Sequence, residues 1–123
     1  MKIVNGTDIV EISRIQRDVE QIGERFLNKI YTKKEIEYCE SKKTQKYQSY
    51  AARFAAKEAL YKALSNKIDF EYSWKDFEIL NEESGRPYVK LHFKIEDLES
   101  IEISLSHCKE YAVANVVAIY KEN

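Results

Sequence analysis

Three residues of this 123-residue chain stand out by type and spacing: Asp8, Glu58 and Lys62. Asp8 interrupts GTDIVEI (Gly6–Ile12), whose Ile and Val content is that of a buried strand. An unpaired carboxylate in such a place is too costly to keep ionised, so Asp8 needs a partner. Glu58 and Lys62 lie one turn apart in RFAAKEALYKAL (53–64), a helical sequence. Taken alone, they read as a surface ion pair worth about 0.2–0.5 kcal/mol, and an Asp8–Lys62 pair would be structural. The three together also suit a hard divalent cation that holds phosphate oxygens, because Mg²⁺ prefers one or two carboxylates completed by substrate phosphates. Gly6 lies two residues before Asp8 on the same strand face and would leave the backbone beside the carboxylate open to a ligand. The plainer reading of Gly6 is a glycine at a strand bulge.

These residues must be positioned by the elements that carry them. Residues 2–12 alternate as a strand, with Val4, Gly6, Asp8 and Val10 on one face. Ser13 is placed to cap a following helix, along which Ile15, Val19, Ile22, Phe26 and Ile30 recur at helical spacing. TKKE (32–35) is a capping box that opens a second, short helix. From about Gln45 to Leu64 the chain is rich in Ala, Leu, Lys and Glu and has no Gly or Pro, the strongest helix signal present. Ala52, Ala55, Ala56, Ala59, Leu60 and Ala63 gather on one side of that helix, and most are small enough to let a packing partner approach closely. The pattern then changes to strands at 76–80, 87–93, 100–106 and 111–120, with NEESGRP (81–87) as a turn between the first two. Helices followed by strands predict an α+β fold, an antiparallel sheet packed against the long helix, in a single domain spanning 1–123.

Composition narrows the class. Twenty basic residues nearly cancel twenty-one acidic ones, which argues against nonspecific binding to nucleic acid. No apolar run approaches the length of a membrane span, and the N-terminus lacks the pattern of a signal peptide. Cys39 and Cys108 are isolated, with neither CxxC nor zinc spacing. A cytoplasmic protein with free thiols is expected.

The motifs in order resemble a known family. GTDIVEI, followed about fifty residues later by RFAAKEALYKAL, is similar to holo-[acyl-carrier-protein] synthase, the small bacterial 4′-phosphopantetheinyl transferase family, with its G-x-D and F-x-x-K-E-A-x-x-K patterns. Gly6, Asp8, Phe54, Lys57, Glu58, Ala59 and Lys62 occupy those positions. SWKDFEIL with SGRPYV resembles the family's hairpin, SLSHCKEYAVANVV its S-x-S-H segment and last strand, and SRI with Arg25–Phe26 its first helix. There are two departures. SNKIDFEYSWKD, after the long helix, has no glycine where relatives carry a glycine-bearing loop, and Cys108 stands where a hydroxyl or carboxylate residue is more usual.

The resemblance implies the phosphopantetheinyl transferase fold and transfer of 4′-phosphopantetheine from coenzyme A to a serine hydroxyl of apo acyl carrier protein. The reaction would release adenosine 3′,5′-bisphosphate and support fatty acid biosynthesis. It places Mg²⁺ on Asp8 and Glu58, the phosphates on Lys62, and a general-base role on Glu58. Arg53, Gly85, Arg86, Pro87, Ser106 and His107 become the nucleotide contacts, with Lys57 either a further ligand or simply solvated. Arg14, Arg25 and Phe26 become the surface that docks the acidic carrier protein, with Arg17 adding charge. A homotrimer with sites between subunits is implied as well. The competing readings are a binding module without turnover and a different Mg²⁺-dependent phosphotransferase or pyrophosphate hydrolase. Neither a nucleic-acid partner nor a membrane is expected.

Overall fold

The computed structural model of the chain describes residues 1–121. Strand β1 (Lys2–Glu11) leads directly into helix α1 (Ile12–Ile22), and α2 (Glu24–Ile30) and α3 (Lys33–Ser41) follow before the long helix α4 (Lys46–Leu64). A two-stranded hairpin, β2 (Phe77–Asn81) and β3 (Pro87–Leu91), precedes β4 (Leu98–His107) and β5 (Tyr111–Tyr120). The elements expected from sequence are present, but the strands form two antiparallel sheets rather than one: β1-β5-β4, and β2-β3.

Two helix boundaries differ from the sequence reading. Ser13 caps nothing: Glu11 is the N-cap of α1, without a side-chain hydrogen bond, and Ser13 lies inside the helix. The periodic run from Ile15 to Ile30 is broken at Gly23, whose φ of 74° separates α1 from α2. A left-handed residue cannot continue a right-handed helix, and glycine adopts that conformation without steric cost. The capping box at Thr32 and Glu35 does form. Thr32 Oγ1 accepts from the Glu35 N–H and Glu35 Oε1 accepts from the Thr32 N–H.

The core lies between α4 and the three-stranded sheet. Along the central strand β5, Ala112, Ala114, Val116, Ala118 and Tyr120 are buried in alternation, the period of a strand with one face on a helix. Opposite them are Ala52, Ala55, Ala56, Ala59 and Ala63 of α4, all buried. With small residues on both surfaces, helix and sheet come close, and Gly6 is where the approach is tightest. A Cβ built there would lie 2.2 Å from the Ala59 carbonyl oxygen and 3.0 Å from the Ala63 nitrogen. Gly6 is therefore a packing residue: it is buried under α4, neither open to a ligand nor part of a bulge in the regular β1–β5 register. That close contact fixes where the next residue on the same face, Asp8, meets α4. None of the helices among the described residues is long and apolar enough to cross a membrane.

Candidate active site

Asp8 follows Gly6 on the face of β1 turned toward α4, and its side chain is 18% exposed. Its partner in the chain is Lys62, whose Nζ donates to Asp8 Oδ1 at 3.1 Å and to the Thr7 carbonyl at 3.0 Å. Lys62 thus reaches across to the strand, and it makes no ion pair with Glu58, one turn away, among the described residues. Glu58 is half-buried. Burial pushes its pKa up, and the Asp8 carboxylate pushes it further, against the opposing charges of Lys62 and Arg14. Two carboxylates and one ammonium from β1 and α4 therefore share one electrostatic neighbourhood.

This donor set fits a hard divalent cation. Both candidate ligands are carboxylates, and their mutual repulsion, seen in Glu58, is what a cation between them would relieve. No cluster of three or more His, Cys, Asp or Glu suited to a metal exists among the described residues. A cation held here would complete its shell with water and phosphate, as Mg²⁺ does.

The predicted nucleotide contacts gather elsewhere. A cleft of about 540 Å³ opens between the N-terminal half of α4, the β2–β3 turn and β4, and Arg53, Gly85, Arg86, Pro87 and His107 line it. Gly85 turns the hairpin at φ 93°. Arg86 reaches Glu102 across an exposed ion pair of 3.5 Å. Ser106 is exposed and does not line the cleft, unlike its neighbour His107.

Arg53 is the most informative of the group. It is 3% exposed, yet no carboxylate pairs with it among the described residues. Its Nη1 donates to Ser49 Oγ at 3.1 Å, its Nη2 donates to Asn81 Oδ1, and the guanidinium sits 4.2 Å from the Tyr38 ring centroid. Its Nε has no partner. A buried cation without a counter-charge, at the wall of a cleft, has the chemistry to hold an anion. Tyr38, Ser49 and Asn81 hold it in place, and no sequence signal pointed to them.

Lys57 corrects the sequence reading. It is neither solvated nor positioned as a ligand, because its side chain is fully buried and its ammonium has three acceptors: Glu35 Oε1 at 2.9 Å, the Phe77 carbonyl at 2.7 Å and the Trp74 carbonyl at 3.1 Å. Burial lowers its pKa, which the Glu35 carboxylate opposes. Glu35 was visible as a capping residue in TKKE, but its second role, holding Lys57 and the Ile79 N–H at 2.8 Å, was not.

On the outer surface the guanidinium of Arg14 lies over the Phe54 ring, 5.3 Å from its centroid, and its charge is felt at Glu58. Arg25 and Phe26 are on α2, a different helix from Arg14. Arg25 is exposed, while Phe26 is half-buried with its ring edge-on to Tyr31. Arg14 and Arg17 are also exposed. Cys108 is exposed beside His107, and hydrogen bonds from the backbone of Glu110 and Tyr111 lower its pKa.

Residues 5–116 match the family model of the 4′-phosphopantetheinyl transferase superfamily. A holo-[acyl-carrier-protein] synthase of Ruminiclostridium cellulolyticum is 48% identical over 123 residues, covering 95% of this chain and 92% of the relative. Among solved structures, the holo-[acyl-carrier-protein] synthase of Helicobacter pylori in complex with coenzyme A matches with a TM-score of 0.81 at 34% identity, over 94% of this chain and 99% of that one. The Bacillus anthracis enzyme in complex with CoA (3′,5′-ADP) matches with a TM-score of 0.76 at 34% identity, over 94% of each chain.

Proposed function

The chain belongs to the holo-[acyl-carrier-protein] synthase family of the 4′-phosphopantetheinyl transferase superfamily, and from that premise we propose that it moves 4′-phosphopantetheine from coenzyme A to a serine of apo acyl carrier protein in a Mg²⁺-dependent reaction. The observation that carries the reading is the meeting of Asp8, Glu58 and Lys62 across β1 and α4.

The serine oxygen attacks the β-phosphorus of the coenzyme A pyrophosphate, and the bond to adenosine 3′,5′-bisphosphate breaks. Lys62 holds phosphate oxygens on which charge accumulates as that group leaves. Glu58, whose pKa is raised by burial and by Asp8, takes the serine proton through a water, a task suited to a carboxylate less acidic than usual. Mg²⁺, when bound by Asp8 and Glu58, would supply charge neutralisation at the pyrophosphate. Arg53 and His107, with the Gly85–Pro87 turn, receive the nucleotide and its 3′-phosphate in the cleft that they line. Ser106 contributes from the adjoining strand position.

Asp8, Glu58 and Lys62 do not line that cleft, so each chain carries the two halves of the site apart. This separation favours a homotrimer in which one copy's carboxylates meet another copy's cleft. Ile3 and Ile9, 61% and 63% exposed on the outer face of β1, offer apolar surface for the contact. Arg14, Arg25 and Phe26 dock the acidic carrier protein. The enzyme works in the cytoplasm as a single domain and serves fatty acid biosynthesis.

The test is intact-mass spectrometry of apo acyl carrier protein incubated with the enzyme, coenzyme A and Mg²⁺. A gain of one phosphopantetheine, lost with EDTA, is expected. No gain, with coenzyme A still bound, would favour a binding module. Sedimentation at the assay concentration should give a trimer, and a monomer would count against the shared site.

A further inference from the structure

Arg53 is buried in the wall of its cleft, and the groups that hold it are all neutral. The Ser49 hydroxyl accepts from Nη1 at 3.1 Å, the Asn81 amide oxygen accepts from Nη2, and the Tyr38 ring centroid lies 4.2 Å from the guanidinium. Two acidic groups close by do not neutralise it. Glu35 is fully buried and paired with Lys57 at 2.9 Å, and Lys57 feels Arg53 as a like charge. Burial pushes the Cys39 thiol up to about 11, against the pull of Arg53, so the thiol is uncharged at neutral pH. No Asp or Glu lines the cleft among the described residues, and Arg53 Nε has no acceptor.

Asn81 ends β2, and its amide works in two directions. Its oxygen meets the guanidinium, which can only donate, and its nitrogen donates to the Gly85 carbonyl at 2.9 Å, which can only accept. Both ends of the amide are thereby fixed, and one side chain ties α4 to the turn that lines the same cleft. An aspartate in its place would have no donor for Gly85 and would form an ion pair with Arg53, cancelling the charge that the cleft presents. An amide grips the guanidinium without that cancellation. We infer that Asn81 is a positioning residue of this cleft, fixing Arg53 against the hairpin turn while leaving the guanidinium's charge free for a ligand phosphate; the inference rests on the transferase reading above.

The experiment is calorimetry on the full chain with Mg²⁺, using adenosine 3′,5′-bisphosphate as the probe at low and at high salt. The proteins compared are the wild type, Asn81→Asp and Asn81→Ser, with a melting temperature for each. Asn81→Ser removes both bonds of the amide and adds no charge, and its Kd should rise a few-fold. Asn81→Asp keeps an acceptor on Arg53 but adds a negative charge. Its Kd should rise at least about tenfold, the scale of one charged hydrogen bond, and its affinity should fall less with added salt than that of the wild type. Ser49→Asp, which sets a carboxylate on the other side of the guanidinium, carries the same charge test if Asn81→Asp does not fold. A merely structural amide would weaken binding in step with lost melting temperature and leave the salt dependence unchanged. An aspartate variant weakened no more than Asn81→Ser, or with the salt dependence of the wild type, would therefore overturn the assignment. A wild type that binds no bisphosphate and modifies no carrier protein would instead sink the transferase reading, and this inference with it.

Discussion

Lys57 Nζ and Glu35 Oε1 are 2.9 Å apart, and neither side chain reaches solvent. The pair joins α3 to α4, and through the carbonyls of Trp74 and Phe77 it ties both to the hairpin that follows. Removing one member leaves the other as a buried unpaired charge. Glu35→Gln and Lys57→Met should each cost about 3–5 kcal/mol in urea unfolding. The double variant Glu35→Gln/Lys57→Met should cost clearly less than the sum of the single changes, because no charge is orphaned. Additive losses would mean that the two charges do not depend on each other.

Gly6→Ala tests the close approach of β1 to α4. A methyl group 2.2 Å from the Ala59 carbonyl meets backbone on the helix, which cannot rotate aside. Strand and helix must separate, at a cost of about 1–3 kcal/mol, typical of overpacking. Because Asp8 is two residues further on the same face, transfer activity should fall by more than the lost stability explains. A variant with wild-type melting temperature and turnover would show that the contact is slack.

Glu58→Gln separates chemistry from packing. The side chain is half-buried and makes no ion pair with Lys62 among the described residues, so the melting temperature should hold. Turnover at saturating coenzyme A and carrier protein should drop at least about a hundredfold. Near-normal turnover would remove Glu58 from the mechanism.

Glu78 should make stability depend on pH. Burial alone pushes its pKa up, but hydrogen bonds from Thr32 at 2.6 Å and His92 at 2.9 Å, with the charges of His92 and Lys34, hold it below the ordinary 4.5. A carboxyl with a lower pKa in the folded state stabilises the fold above its unfolded pKa, and that contribution fades as pH falls through the folded value. Thermal melts should therefore lose stability below about pH 4.5, and Glu78→Gln should flatten that part of the profile. An unchanged acid limb in the variant would assign the loss to other carboxylates.

Arg14→Glu tests carrier-protein docking. The guanidinium rests on Phe54 close enough to influence Glu58, so a partner docked on it would be beside the reacting centre. Charge reversal should raise the KM for carrier protein several-fold, more at low salt than at high, with the KM for coenzyme A unchanged. Equal KM values at every salt concentration would place docking elsewhere.

The order of elements, the long helix, the capping box and the candidate carboxylates are all readable along the chain, because each rests on local rules. Helical period and propensity act over a few residues, and a capping box closes within one turn. Asp8 was conspicuous because a carboxylate in an Ile/Val strand contradicts its surroundings. The break at Gly23 was less legible, since the apolar period runs through it and only the backbone conformation shows that the helix stops.

Long-range partners were decided by the tertiary structure. Along the chain Gly6 reads as an opening for a ligand or a bulge glycine and Lys57 as a further ligand or a solvated lysine, but α4 lies on Gly6, and Glu35 and two carbonyls surround the Lys57 ammonium. The buried Arg53 without a counter-charge, and the Asn81 amide that holds it, likewise arise from segments far apart in sequence. A sequence records which side chain is charged or small. Only the packing of distant segments decides whether that charge meets water, a carboxylate or an empty cleft, and the free energy of the site depends on that surrounding.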